Sequence, residues 1–189
     1  MTELGFNVVD VNVTLERTPG SQSSSSVGNS ISVQQATPQD HEDVLNIAAN
    51  CFVYSRFHLD PLLTQEMANM VKREWVRNYV KGKRGEALLV AKLDGKPVGF
   101  LAVLANKDSN GSCRVIDLVG VAPAHQGRGV GRAIVDHFIA SSDGLCDSLR
   151  VGTQAANIPS LRLYESCGFR VADTTFVLHA HVAANGQSE

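Results

Sequence analysis

The chain has 189 residues, of which 43% are hydrophobic and 19% are charged, and its formal net charge is −2. This composition is typical of one globular domain with a substantial core, and it excludes a basic surface for nucleic acid or anionic lipid. No apolar run approaches the roughly 20 residues of a membrane span, and no secretory signal pattern is present. We therefore expect a cytoplasmic protein that binds neither nucleic acid nor membranes. The cysteines lack CxxC spacing, so we expect free thiols.

Four segments follow one another along the chain. An alternating apolar pattern over residues 6–15 predicts a strand, within an N-terminal segment that we place at residues 1–16. A Ser- and Gly-rich linker at residues 17–30 separates it from a main domain at residues 31–182, and residues 183–189 form a flexible tail.

The N-terminal strand resembles the last strand of the main domain. Gly, Phe, Val, Asp and Leu recur at equal offsets, starting from Gly5 in one strand and from Gly168 in the other. We interpret residues 5–15 as the last strand of a shortened, duplicated unit, and we expect it to add to a sheet, its own or a partner's. Chance similarity between two amphipathic strands is the alternative.

The main domain has alternating strands and helices. Its first helix follows a short strand at residues 31–36, and its second carries an apolar stripe that we expect to be core: Met67, Met70, Val71, Trp75 and Tyr79. Further strands are predicted at residues 87–93, 98–105, 114–121 and 148–154. The order β-α-α-β-β-β-α-β-α-β predicts an α+β fold with a mixed, largely antiparallel twisted sheet flanked by helices.

A glycine-rich loop between a strand and a helix is the most informative motif. Gln-Gly-Arg-Gly-Val-Gly at residues 126–131 follows a β-branched run that ends at Pro123. Glycines allow the backbone to approach a ligand closely, and the free N–H groups of a helix N-terminus bind anions. A nucleoside-triphosphate loop needs Gly-Lys-Ser/Thr, and the dinucleotide frame needs a third glycine; Arg132 stands at both positions. The loop therefore indicates a different pyrophosphate cradle.

A second motif lies downstream of this cradle. Asn157 is suited to cap a helix and Gly168 to end it, while Leu161 and Tyr164 lie one turn apart on the same face. Together, the Gln/Arg-x-x-Gly-x-Gly/Ala loop and the later Asn, Leu-Tyr and Gly-Phe resemble the GCN5-related N-acetyltransferase (GNAT) superfamily. The resemblance implies parallel strands that splay at an acetyl-CoA site. It also implies an acetyl-CoA-dependent acyltransferase that moves acetyl directly to a primary amine in a ternary complex.

The resemblance assigns roles to residues around the loop. The backbone of the loop would hold the pyrophosphate, the main chain of the preceding strand would pair with pantetheine and the acetyl carbonyl, and an asparagine would bond to the cofactor arm. The cofactor-binding set is Val119, Val121, Gln126, Gly127, Arg128, Gly129, Val130, Gly131, Arg132 and Asn157.

Two residues are candidates for proton transfer. Tyr164 would protonate the leaving thiolate. Strand alternation predicts that Asp117 faces the same side as Val115 and Val119, where its carboxylate could take the amine proton. A structural salt bridge at Asp117, or a water chain in place of a base, is the alternative.

The histidines do not predict a metal site. His179 and His181 are two residues apart and face one side of a strand, but nothing nearby is expected to complete a ligand set. We therefore expect no metal.

The acceptor is suggested by a finer resemblance. Residues 55–61, with Trp75 and the segment that follows it, are similar to the acceptor region of sugar-nucleotide N-acetyltransferases, those of dTDP-fucosamine (dTDP-4-amino-4,6-dideoxygalactose) included. This implies a small-molecule amine, a nucleotide-linked 4-amino sugar, with Arg56 and His58 as its contacts, and it is compatible with a homodimer. A ribosomal-protein-type Nα-acetyltransferase, a small-amine acetyltransferase and a non-enzymatic acetyl-CoA sensor remain as alternatives.

Overall fold

The computed structural model describes residues 5–20, 31–108 and 111–181. Most of the predicted linker and the whole predicted tail lie outside these ranges. Within them the strands are β1 (Asn7–Arg17), β2 (Ile31–Gln35), β3 (Ala87–Leu93), β4 (Lys96–Asp108), β5 (Gly111–Val121), β6 (Ser148–Gln154) and β7 (Arg170–His179). The α-helices are α1 (His41–Ala48), α2 (Gln65–Val80), α3 (Val130–Ala140) and α4 (Ile158–Ser166).

The strands form a single seven-stranded sheet in the order β2-β3-β4-β5-β6-β1-β7. All neighbours are antiparallel except β5 and β6, which are parallel. Two buried apolar clusters lie on its faces: one packs α3 and α4 against the sheet, and the other packs α1 and α2. This confirms the α+β prediction, with a mixed, largely antiparallel sheet flanked by helices.

Local sequence signals explain where the helices begin. Thr37 and Asp40 form a capping box before α1, and Thr64 accepts the backbone N–H of Met67 at the start of α2. The side chain of Asn157 accepts the backbone N–H of Ser160 at 3.3 Å and so caps α4. These short-range signals are readable from sequence because they need no distant partner.

The predicted core stripe of α2 is wrong in part. Met67, Met70 and Val71 are 45%, 61% and 38% exposed. Ala68 and Val76 are instead fully buried. The helix is rotated so that a row containing Lys72 and Tyr79 faces the sheet. The sequence prediction failed because a lysine in that row made the buried face appear polar.

The N-terminal strand β1 lies inside the sheet, between β6 and β7. Val13 and Leu15 of this strand belong to the core. The pairing with β7 has a local two-fold relation centred on Asn12 and Thr175: Val8 pairs with Leu178, and Leu15 pairs with Val171. The residues that recur in the sequence are therefore also the residues exchanged by this local symmetry.

Two further expectations concern the chain as a whole. Among the described residues, no helix combines the length and apolar character needed to cross a bilayer. All four cysteines are free thiols, as expected from their spacing.

Candidate active site

A gap opens in the middle of the sheet. β5 and β6 pair only where Cys113 to Ile116 lie opposite Ser148 to Val151, and the strands separate beyond that point. A cavity of about 980 Å³ occupies the gap and is lined from both strands, from the glycine-rich loop and from α4. The predicted splayed parallel strands are therefore present.

A β-bulge changes the direction of side chains along β5. Ala102 of β4 lies opposite Leu118 and the next residue, Val103, lies opposite Ile116, so Asp117 has no opposite partner. An inserted residue reverses the alternation of faces. Asp117 and Val115 therefore lie on the face of the sheet that packs against α2, whereas Val119 lies on the opposite face. The prediction that all three residues share one face is wrong.

Asp117 is the centre of a structural cluster. Its Oδ2 accepts hydrogen bonds from Trp75 Nε1 at 3.0 Å, from the Tyr79 hydroxyl at 2.6 Å and from Arg84 Nε at 2.9 Å. Arg84 Nη2 donates to Oδ1 at 3.1 Å. The ion pair raises the pKa of Arg84, and the carboxylate is engaged on both oxygens. Asp117 lines the cavity, but its contacts are those of the salt-bridge alternative.

The glycine-rich loop forms a cradle at one end of the cavity. Gly127 and Gly129 have φ values of 72° and 82°, which favour glycine, and α3 begins immediately afterwards. The backbone N–H groups of Val130, Gly131 and Arg132 have no helical acceptor, as in the first turn of any helix. They are suited to an anion such as a pyrophosphate.

Most predicted cofactor residues lie at the cavity. The lining includes Val119, Val121, Gln126, Gly127, Gly129, Gly131, Arg132 and Asn157. It does not include Arg128, which is exposed, or the side chain of Val130, which is buried in the core. Val130 can contribute only through its backbone.

Several polar groups near the cradle are already engaged. Gln126 Nε2 donates to the carbonyl of Val121 at 3.2 Å. Arg132 Nε donates to Asp136 at 2.7 Å. Asn157 serves as the α4 cap while facing the cavity. The cradle therefore offers mainly backbone donors, held in place by these side-chain contacts.

Tyr164 lies at the junction of α4 and the cavity. It is 2% exposed and packs edge to face against Phe169. Burial raises the pKa of its hydroxyl well above the ordinary value. Tyr164 therefore remains protonated at physiological pH and is able to donate a proton.

Lys72 is a functional candidate that the sequence prediction missed. It lies at the cavity in a cage of aromatic rings, with Nζ 5.0 Å from the ring centroid of Phe52, 5.9 Å from that of Phe57 and 4.9 Å from that of Trp75. Burial, with the charge of Arg56 as a smaller cause, lowers the pKa of Lys72 to about 8. About a tenth of Lys72 is therefore the free amine at pH 7, which permits general base catalysis.

The backbone of β5 at Gly120 passes close to the side chain of Cys51. A Cβ at Gly120 would lie 2.5 Å from Cys51 Sγ and 2.7 Å from the ring of Phe100. Burial raises the pKa of the Cys51 thiol to about 12, so it is neutral. Only glycine fits at this point of the splayed strand.

The opposite wall of the cavity is polar. Asp10, Asn12 and Thr14 of β1 alternate along the strand and line the cavity together with Arg150. Asp10 is 8% exposed, and burial raises the pKa of its carboxyl. The N-terminal strand thus supplies part of the site, which the sequence prediction did not foresee.

The two predicted acceptor residues differ in position. Arg56 lines the cavity, with its guanidinium 4.9 Å from the ring centroid of Phe57. His58 is absent from the described lining, and its ring bonds instead to Ser55 Oγ at 2.6 Å and to Asn69 Oδ1 at 2.9 Å. His58 anchors the loop that carries Arg56.

The expectation that nothing completes a ligand set around His179 and His181 is wrong. Asp60 Oδ2 lies 2.5 Å from His179 Nδ1 and 2.8 Å from His181 Nε2. No local pattern indicates this cluster, because Asp60 precedes the histidines by more than 100 residues.

Comparisons with known proteins agree with this geometry. The family model "Acetyltransferase (GNAT) family" matches residues 42–169. Spore coat polysaccharide biosynthesis protein SpsD of Bacillus subtilis is 31% identical over 143 residues, which cover 75% of this chain and 48% of SpsD. N-acetylaspartate synthetase of Xenopus tropicalis is 27% identical over 124 residues, which cover 60% of this chain and 39% of that protein. The chain thus spans half or less of the length of these two relatives.

A solved structure shares the fold across nearly the whole chain. The GCN5-related N-acetyltransferase from Kribbella flavida matches with a TM-score of 0.64 and 16% identity, covering 97% of this chain and 63% of that one. The family match extends from α1 through the cradle to the end of α4 and includes the gap between β5 and β6. The chain belongs to the acetyltransferase (GNAT) family.

Proposed function

We propose that this chain transfers acetyl from acetyl-CoA directly to the 4-amino group of a nucleotide-linked amino sugar. The observation that carries acetyl transfer is the gap between β5 and β6, with an anion cradle at one end and both Tyr164 and Lys72 in its lining. When bound, acetyl-CoA supplies an acetyl thioester. The residues of the gap bind it, exclude water and move protons.

The cradle and the open strand edge hold the cofactor. The first-turn amides of α3 and the loop from Gln126 to Gly129 bind the pyrophosphate, and exposed Arg128 adds positive charge. β5 has no β6 partner beyond Ile116, so its main chain around Val119 is available to an amide-bearing arm. The carbonyl of Val121 accepts a hydrogen bond from Gln126, and the arm would replace that contact to pair there. Asn157 contributes its amide from the other side.

Tyr164 acts as the general acid. Expulsion of a thiolate leaves a negative sulfur that must gain a proton, and a protonated buried hydroxyl is suited to provide it. Its high pKa ensures that the proton is available over the physiological range.

Lys72 acts as the general base in place of Asp117. The attacking amine must lose one proton as the N–C bond forms and the C–S bond breaks; Lys72 Nζ takes that proton, and Tyr164 gives one to sulfur. Asp117 is less suited because Trp75, Tyr79 and Arg84 occupy its carboxylate.

The acceptor assignment rests on the polar half of the cavity. Arg56 offers a guanidinium to a diphosphate, while the β1 row formed by Asp10, Asn12 and Thr14 offers hydrogen-bonding groups to sugar hydroxyls and an amine. A relative named for polysaccharide biosynthesis supports this choice.

The experiment is thiol release from acetyl-CoA with three acceptor classes. We expect turnover with dTDP-4-amino sugars and little with peptide N-termini or polyamines. Arg56→Met should raise KM for the nucleotide sugar at least tenfold and leave KM for acetyl-CoA unchanged, whereas Arg162→Met, at an exposed position of α4 outside the cavity lining, should change neither. Turnover confined to peptides or polyamines would refute the sugar assignment and keep acetyl transfer. Binding of acetyl-CoA without turnover on any amine would favour a sensor.

We also propose that β1 is the remnant of a duplicated unit. The local two-fold relation between β1 and β7 supports this, because the recurring residues Val8 and Leu178, and Leu15 and Val171, occupy symmetry-related pairs. β1 covers the edge of β6 and brings its polar row to the cavity.

A further inference from the structure

We propose that Asp60, His179 and His181 form a binding site for a first-row divalent cation, with Zn²⁺ as the best match. The three ligand atoms lie within 4.8 Å of one another. Two imidazoles and a carboxylate are a donor set suited to zinc and its neighbours, and three protein ligands leave a fourth position for water. The site is separate from the residues assigned to acetyl transfer, and its existence does not depend on that function.

The carboxylate is held in position for this role. Asp60 is 2% exposed, and its Oδ1 accepts the backbone N–H of Leu62 at 2.9 Å. The same carboxylate directs Oδ2 toward both imidazoles. A backbone hydrogen bond that orients a ligating carboxylate is a typical outer-shell feature of metal sites.

The histidines come from one strand end and converge on the same point. His179 is the last residue of β7, and His181 follows two positions later, so both rings project to the same side. Their ring centroids are 6.2 Å apart. Ligand atoms around a tetrahedral zinc are separated by about 3.3 Å, so ring shifts of less than about 1 Å would admit the ion between them.

The three ligand side chains differ in their exposure to solvent. The side chain of His179 is 17% exposed and that of His181 is 36% exposed, against 1% for Asp60. A cation can therefore enter past His181 and end against a buried carboxylate. The ring of Phe57, with its centroid 6.2 Å from that of His179, forms a neighbouring apolar wall.

The position of the site gives the cation a structural consequence. Asp60 lies at the end of the loop that carries Arg56 and Phe57 to the cavity, and β7 contributes Thr175 and Val177 to the same lining. A bound cation would fix this loop to β7 and hold the acceptor wall in one arrangement.

The test uses the full chain, free of any affinity tag and stripped with a chelator. Titration calorimetry with Zn²⁺ should show one site per chain, and Co²⁺ should give the visible absorption of a four-coordinate nitrogen–oxygen site. Asp60→Asn and His181→Gln should each weaken Zn²⁺ binding by about 100-fold or more. His41→Gln, a change of a histidine outside the cluster, should leave the affinity unchanged.

The melting temperature of the wild-type chain should rise with Zn²⁺ concentration, because a ligand that binds the folded state stabilises it. His181→Gln is the safer variant for folding, since His181 lies at the periphery, and it should abolish this rise. Absence of saturable binding by Zn²⁺, Co²⁺ and Ni²⁺ would overturn the proposal, and so would binding that survives both cluster variants. In that case the three residues form only a hydrogen-bonded cluster that joins the loop before α2 to the end of β7.

Discussion

Replacement of Lys72 by arginine tests the assignment of the base. With a pKa of about 8, the free amine fraction of Lys72 rises from about 9% at pH 7 to about 91% at pH 9. A lysine at its ordinary value of 10.5 would be only about 0.03% free amine at pH 7. Burial of Lys72 therefore increases the available base by about 300-fold. If Lys72 takes the proton, its titration should raise kcat/KM about tenfold between pH 7 and pH 9, in addition to any rise from the acceptor amine.

Lys72→Arg retains a cation in the aromatic cage but removes the titration, because a guanidinium stays protonated. We expect kcat/KM at pH 8 to fall by about 100-fold or more and the Lys72-dependent rise with pH to disappear. The assay is thiol release with the best acceptor, measured from pH 6.5 to pH 9.5 in constant ionic strength. The acceptor amine titrates in both proteins, so the ratio of the two profiles isolates Lys72.

Lys83→Arg, at an exposed position after α2, is the matched control and should retain the wild-type profile. Melting temperatures of all three proteins establish that the variants are folded. The reasoning is refuted if folded Lys72→Arg keeps kcat/KM within about threefold of wild type and shows the same rise with pH. A water chain would then be the better account of proton removal.

Four further predictions concern the gap and the sheet. Tyr164→Phe should lower kcat about 100-fold while the Kd for acetyl-CoA, measured by calorimetry, stays unchanged; an unaltered kcat would remove Tyr164 as the acid. Gly120→Ala should cost about 1–3 kcal/mol in the free energy of unfolding, since its Cβ would meet Cys51 Sγ at 2.5 Å, and urea titration measures this. Asp117→Asn should cost about 1–2 kcal/mol in the same titration through loss of the Arg84 pair, which is partly exposed, and should lower kcat by less than about tenfold; a loss near 1,000-fold would restore Asp117 as the base. Deletion of residues 1–17 removes two core aliphatic side chains, worth roughly 3–6 kcal/mol, and also the strand that joins β7 to the described sheet, so the loss should exceed that figure and be seen as a lower melting temperature; an unchanged temperature would show that β1 is dispensable.

The cradle was predictable because its signals are local. Gln126, Gly129 and Gly131 lie within six residues, and the positive φ angles of Gly127 and Gly129 favour glycine in the loop itself. Asn157 was predictable as a cap for the same reason. The order of strands and helices also followed from periodicity within short windows.

Side-chain direction on β5 was not predictable, because it depends on a bulge. A single extra residue at position 117 moves Asp117 to the face of α2, and nothing in the alternating pattern of residues 114–121 indicates it. The role of Lys72 was missed for a related reason. A lysine among apolar residues predicts an exposed position, whereas the aromatic rings of Phe52 and Trp75 enclose it here.

The sequence predictions also failed where residues that are distant in the sequence come together in the fold. Asp60 meets His179 and His181 only because the loop before α2 folds against the end of β7. The location of β1 between β6 and β7 likewise depends on tertiary pairing. The sequence echo predicted that this strand would join a sheet, but not that it would line the cavity.

The central location of β1 delays completion of the sheet during synthesis of the chain. β1 is translated first, yet both strands that flank it are the last two to be made. At about 5–20 residues per second, roughly 7–26 s separate the end of β1 from the start of β6 on the ribosome. Throughout that interval an amphipathic strand with Val13 and Leu15 on its apolar side has no native partner. The sheet therefore cannot be completed until β6 and β7 have been made, and until then the apolar side of β1 lacks the strands that flank it in the native sheet.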